Sequence, residues 1–154
     1  MRKPLEQVIG DYQRNIYAAA YSICQNSADA NDIVQDTFVQ YYRSDREFND
    51  EEHLKAWLLR AAINRAKNLK LSFWHRNSAP LEEAEEIGFN MPEYSEVFDA
   101  IMKLPEKYRL VIHLFYYEDL SAKEIAGLLN ITESNVRKRL SRGREQLRKF
   151  LEEI

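Results

Sequence analysis

The segment Leu120–Leu151, LSAKEIAGLLNITESNVRKRLSRGREQLRKFL, constrains this chain more than any other. Ser121 can cap a first helix, and Glu124 three residues later completes a capping box. Ile125, Leu128 and Leu129 supply its buried stripe. Asn130 falls where the chain must turn, and Asn tolerates left-handed backbone better than most residues. Thr132 can cap a second helix, which sets Val136, Leu140, Leu147 and Leu151 on one face. Arg137, Lys138, Arg142, Arg144, Arg148 and Lys149 fall largely outside that face. Cap, turn and second helix in this register form a helix-turn-helix, whose second helix suits a DNA major groove. At its entering end Thr132, Glu133, Ser134 and Asn135 are short or polar. Asn can pair bidentately with adenine, and Glu can accept from cytosine. Arg137, Lys138 and Arg142 can hold the flanking phosphates. A solvated basic helix in an unrelated bundle is the plainer alternative, but it leaves the register of the preceding cap and turn unexplained.

The rest of the chain reads as helix too. Leu5–Cys24 carries Val8, Ile9, Tyr12, Ile16, Ala19, Ala20 and Ile23 roughly on one stripe. A break at Asn26–Asp29 offers caps for a helix reaching about Tyr42, with Ile33, Val34, Phe38 and Tyr41 inward. Ser44–Glu52 is polar and non-periodic, a predicted loop. His53–Phe73 carries Leu54, Trp57, Leu58, Ala61 and Ile63 on its apolar side. Beyond the middle of the chain, Val97, Ile101 and Leu104 mark a short helix stopped by Pro105. Lys107–Tyr117 follows, with Tyr108, Val111, Ile112 and Phe115 inward. With 4 Gly and 4 Pro in 154 residues, turn residues are too few for an all-β sandwich or barrel. The expected fold is all-α: two small helical domains, residues 1–77 and 96–154, joined by an acidic linker, residues 78–95, that contains Pro80 and Pro92.

Charge segregates along this plan. The net charge of −3 comes from the middle, where Glu82, Glu83, Glu85, Glu86 and Glu93 face no Lys or Arg. His53–Asn77 is the reverse, with Lys55, Arg60, Arg65, Lys67, Lys70 and Arg76 and no acidic residue. Ordinary solvated helices mix signs, so this stretch reads as a surface for a phosphate backbone. Trp57, Phe73 and Trp74 are interleaved and could stack on unpaired bases. Trp57 lies on the apolar stripe and reads rather as core, and Phe73 and Trp74 at the helix end could equally cover the domain base. The preceding helix gathers Asp29, Asp32 and Asp36 with Gln35 on one polar surface. These residues leave two readings open: a docking surface for a basic or amphipathic partner, or a solvated acidic face.

Other classes of function find little support. Cys24 is the single cysteine, which excludes an internal disulfide and a multi-cysteine zinc site. His53, His75 and His113 are scattered, so no metal site is expected. No nucleophile triad or Gly-rich phosphate loop stands out, so neither a cofactor nor a small-molecule substrate is expected. No apolar run approaches the ~20 residues of a membrane span, and the charged amino terminus is unlike a signal peptide. A soluble, cytoplasmic protein that is not an enzyme follows as the expectation.

Three segments together resemble the bacterial RNA polymerase sigma factors of the extracytoplasmic-function type. ANDIVQDTFVQYY is similar to the family's core-binding segment. AWLLRAAINRAKN resembles the segment that reads the minus-ten promoter element, with Trp57 and Asn64 as fixed points. The stretch Leu104–Leu151 is similar to the domain that reads the minus-thirty-five element. The resemblance implies that Asp32, Gln35 and Asp36 face the clamp helices of core RNA polymerase, which decides between the two readings of that surface. It implies that the Ser44–Glu52 loop and Asn64 handle a base flipped from promoter DNA, with Arg60, Lys67 and Lys70 on the minus-ten element. It places Thr132, Glu133, Ser134, Asn135, Arg137, Lys138 and Arg142 on the minus-thirty-five element, and leans that second domain on the polymerase flap. It also implies an anti-sigma factor as partner, membrane-anchored in many relatives, and no extra regulatory domain. The match has departures: Asn31 where Glu is usual, Asn68 and Leu71 where Asp and Arg are common, and Asn135 where Thr is usual. Lys67 or Lys70 could replace the backbone contact of the missing arginine. The rival is a helix-turn-helix regulator that binds duplex DNA without polymerase; it leaves the Asp-rich helix and the basic Trp57 helix without a purpose.

Overall fold

In the computed structural model the described residues are 2–76 and 96–152, the side chains of 71–76 excepted. The acidic segment 78–95 and the side chains of Leu71, Phe73, Trp74, His75 and Arg76 therefore lie outside the described residues. Among the described residues there are seven helices and no strand: α1 Leu5–Cys24, α2 Ser27–Arg43, α3 Glu51–Arg76, α4 Glu96–Met102, α5 Glu106–Tyr116, α6 Ala122–Leu129 and α7 Glu133–Glu152. They fall into two compact units, α1–α3 and α4–α7.

In the first unit α1 packs on both α2 and α3. Its core is Val8, Ile16, Tyr17, Ala20, Ile23, Ile33, Val34, Phe38, Tyr41, Leu54, Leu58, Leu59 and Ile63. Each large aliphatic side chain so buried contributes about 1.5–3 kcal/mol. Gln25 ends α1 in the left-handed region, and the Asn26 side chain then accepts from the Asp29 amide at 2.8 Å to start α2. The loop after α2 is shorter than predicted, because Glu51 and Glu52 already belong to α3. Asp50 explains this. Its carboxylate accepts from the His53 amide at 2.7 Å, and two acidic residues suit the positive end of a helix. Trp57 is only half-buried and sits edge-on to Phe48 and Tyr41, at 5.7 and 6.4 Å between ring centroids.

In the second unit α7 packs against α4, α5 and α6. Val97 and Phe115 depart from the expected inward stripe: Val97 is exposed and Phe115 half-buried. Their places are taken by Phe98 and by the buried polar residues Arg109 and His113. Arg109 donates to the Leu104 carbonyl at 2.7 Å and so closes the turn ahead of α5. His113 Nε2 lies 3.4 Å from the buried Glu118 carboxylate in the turn after α5. That turn carries Asp119 at φ 59° and delivers Ser121 to cap α6.

Candidate nucleic-acid interface

The helix-turn-helix is built as its sequence specifies. Ser121 Oγ accepts from the Glu124 amide at 3.1 Å, and the Glu124 carboxylate accepts from the Ser121 amide at 2.8 Å. Asn130 turns the chain at φ 59°, ψ 46°. Thr132 Oγ1 accepts from the Asn135 amide at 3.0 Å and fixes where α7 begins. Val136, Leu140 and Gly143 are the buried residues of α7. Ser134, Lys138 and Arg142 follow at intervals of four on its exposed side.

Five of the seven cations of α7 divide into two groups. Arg137 is paired with Glu133, one turn earlier. Arg148 is held between Glu145 and Glu152, at 2.7 and 2.6 Å. Arg144 donates to the Tyr116 hydroxyl at 2.7 Å and lies over the Phe115 and Tyr116 rings. Lys138 and Arg142 are exposed and make no ion pair among the described residues. Glu133 and Arg137, expected to act separately, thus neutralise one another at the entering end of the helix. Thr132 and Ser134 are exposed there, and Asn135 is half-exposed.

On α3, Arg60, Asn64 and Lys67 are exposed at helical spacing on the side opposite the core, with Lys70 half-exposed beyond them. Arg65 belongs to another face. Its Nε donates to the Asp36 carboxylate of α2 at 2.8 Å. The basic stretch is therefore split: Arg65 braces α2, and Arg60, Lys67 and Lys70 form an outward row. The Ser44–Asp50 loop stands at the opposite end of α3 from Lys70, with Asp45, Arg46, Glu47 and Asn49 exposed.

On α2, Asp32 and Gln35 are exposed and Asp36 is half-exposed, all on one face. Asp29 is partly buried, and burial together with the nearby Asp32 charge raises its carboxyl above the ordinary value. Beside this face runs a groove of about 800 Å³ lined by Leu5, Ile9, Asn31, Val34, Gln35, Phe38, Val39 and Tyr42. Tyr42 is 70% exposed and Val39 44%. The sequence reading missed this groove. Its signal is that Val39 and Tyr42 are apolar residues off the core stripe of α2, and apolar side chains gathered outside a core mark a contact surface.

Residues 8–75 match the family model described as Sigma-70 region 2, and residues 94–147 match Sigma-70, region 4. The chain is 30% identical to the ECF RNA polymerase sigma factor SigW of Bacillus subtilis, over 96% of this chain and 88% of that one. It belongs to the ECF RNA polymerase sigma factors. The ECF RNA polymerase sigma-E factor of Escherichia coli K12 is also 30% identical to this sigma factor, over 95% of this chain and 85% of that one. Two solved structures share its fold. One is the sigma factor RpoE in complex with the anti-sigma factor NepR from Bartonella quintana, with TM-score 0.76, 22% identity and 96% of each chain covered. The other is CnrH in complex with the cytosolic domain of CnrY, with TM-score 0.66, 23% identity, and 96% of this chain and 87% of that one covered. No described helix of this sigma factor is long and apolar enough to cross a membrane. No described cluster of His, Cys, Asp or Glu could hold a metal ion.

Proposed function

We propose that this sigma factor divides its work among three surfaces. The α2 face, with Asp32, Gln35 and Asp36 beside the apolar groove, docks on core RNA polymerase. The α3 row Arg60, Asn64, Lys67 and Lys70, with the loop Ser44–Asp50, receives the minus-ten element. The outward side of α7, with Thr132, Glu133, Ser134, Asn135, Arg137, Lys138 and Arg142, reads the minus-thirty-five element. Residues 1–77 then form the polymerase and minus-ten domain, 78–95 a linker, and 96–154 the minus-thirty-five domain. The protein acts by binding alone, with no catalytic residue and no cofactor, in the cytoplasm. An anti-sigma factor is its expected regulator, in line with the complexes in which RpoE and CnrH were solved.

The observation that carries this reading is the separation of charge between neighbouring helices. An acidic face edged by exposed apolar side chains on α2 suits a protein partner, because apolar contact supplies affinity and charge supplies register. An acid-free row of cations on α3 suits phosphates. The test is binding to purified core polymerase, followed by run-off transcription. Asp32→Lys should abolish core binding with the fold intact, since breaking a buried interfacial charge pair costs ~2–5 kcal/mol. Asp36 calls for Asn rather than Lys, because a lysine there would face Arg65 at ion-pair distance. Wild-type core affinity for Asp32→Lys would reject the docking surface.

A further inference from the structure

We infer that Arg2, ahead of α1, is a positioning residue for promoter opening: its guanidinium holds the Ser44–Asp50 loop in the shape that accepts an unpaired base. The inference rests on the reading of that loop as the receiver of a minus-ten base. Arg2 Nη1 donates to the Arg46 carbonyl at 2.7 Å, in the middle of the loop. Its Nη2 donates to the Tyr41 carbonyl, in the last turn of α2. The guanidinium also lies over the Tyr41 ring, 4.1 Å from the centroid. One planar fork thus ties the end of a helix to the loop that leaves it.

The surroundings keep that fork in place. The Tyr41 hydroxyl donates to the Lys3 carbonyl at 2.7 Å, so the buried tyrosine grips the same segment that grips its backbone. Lys3 Nζ pairs with Asp11 of α1 and Glu51 of α3, at 2.9 Å each. The Tyr12 hydroxyl donates to the same Glu51 carboxylate. Residues 2 and 3 therefore touch α1, α2, α3 and the loop. The loop's own ties lie near its two ends: the Arg46 amide to Ser44 Oγ at 3.0 Å, and the Asn49 amide to His53 Nδ1 at 3.1 Å. Phe48 is stacked on Tyr41, with centroids 6.1 Å apart, and sits edge-on to His53. Arg2 adds the hold on the carbonyl side of Arg46. The exposed side chains of Asp45, Arg46, Glu47 and Asn49 stay free to meet a base.

A base taken from its stack must be met by contacts already in place, because ordering a slack loop at that moment adds to the opening cost. Lysine cannot replace Arg2 here. An ammonium is a point charge and does not span two carbonyls as a planar fork does.

The experiment uses the full chain with core polymerase and compares Arg2→Ala, Arg2→Lys and a variant with residues 45–49 replaced by Gly/Ser. Permanganate reactivity of unpaired thymines is read on fully paired promoters that differ at the minus-ten bases, and on a template with a pre-mismatched minus-ten region. Both Arg2 variants should bind core polymerase normally. They should open paired promoters about tenfold less, the scale of one lost hydrogen bond, and lose preference among minus-ten bases. The mismatched template should restore opening. If the loop replacement is defective while both Arg2 variants match wild type, the inference is overturned and the reading of the loop stands. If all three match wild type, both fall. If Arg2→Ala fails to fold, Arg2→Lys decides: an unchanged base preference in that variant overturns the inference. An equal loss of core binding also overturns it, since the effect would then be global.

Discussion

Gly143 sits in the middle of α7, where intrinsic propensity disfavours glycine. Replacing a helical glycine with alanine ordinarily stabilises by about 1 kcal/mol. Gly143 should behave otherwise. It is buried where α7 crosses α5, and a Cβ built there meets Ile112 Cγ1 at 3.2 Å, Ile112 Cδ1 at 3.3 Å and Tyr108 Cβ at 3.3 Å. Cδ1 is the end of a flexible side chain and can swing away. Cγ1 and the Tyr108 Cβ are fixed near their own backbones, so α5 and α7 must part by a few tenths of an ångström. Overpacking of this kind costs about 1–3 kcal/mol. The propensity gain offsets about 1 kcal/mol of that, leaving Gly143→Ala net destabilising by about 0–2 kcal/mol. Gly127 in α6 is the internal control. It is exposed and has nothing within 4 Å of a built Cβ, so Gly127→Ala should gain about 0.5–1 kcal/mol. The assay is urea unfolding of the full chain by far-ultraviolet circular dichroism and tryptophan fluorescence. Neither tryptophan lies in α4–α7, and Trp57 packs within the first unit, so fluorescence gives a signal that does not originate in α4–α7. The dichroism transition of α4–α7 should move down for Gly143→Ala and up for Gly127→Ala, with the fluorescence midpoint unmoved in both. If Gly143→Ala stabilises as much as Gly127→Ala, the close approach of α5 and α7 is wrong.

Two further expectations concern single side chains. Asp29 is charged in a partly buried place that raises its carboxyl, so its ionised form weighs against folding at neutral pH. Asp29→Asn should raise the urea midpoint of the fluorescence transition at pH 7. The gain should vanish as pH falls through the folded value of Asp29 toward the ordinary carboxylate value of 3.8; a loss of stability at pH 7 would refute the burial argument. On α7, Arg142→Ala should weaken all promoters alike and reduce the salt slope of binding by about one unit, whereas Asn135→Ala should change which minus-thirty-five sequences are preferred. A sequence-selection assay that returns one preference for both variants and wild type would rule out this register.

Local chemistry made much of the fold legible. Ser121, Glu124, Asn130 and Thr132 act within three residues of themselves, so their spacing alone specified the caps and turn that the structure contains. Apolar periodicity likewise specified α1 and most of the core of α2. Gly143 was not legible. Along the chain it is a weak helix former, and only the approach of α5, some thirty residues earlier, turns it into a packing requirement. The charged residues show the same limit. The stretch His53–Asn77 reads as one cationic run, but the fold pairs Arg65 with Asp36 and leaves Arg60 and Lys67 on another side. An exposed pair of this kind contributes little stability, about 0–1 kcal/mol. Its larger consequence concerns the use of the surfaces. Arg65 neutralises one of the carboxylates on the α2 face proposed to meet polymerase, and is itself kept from the α3 row proposed to meet DNA. A partner cation arriving at α2 competes with Arg65 for Asp36, whereas Asp32 on the same face is exposed and makes no ion pair among the described residues. Of the two aspartates, Asp32 should therefore carry more of the discrimination at that surface.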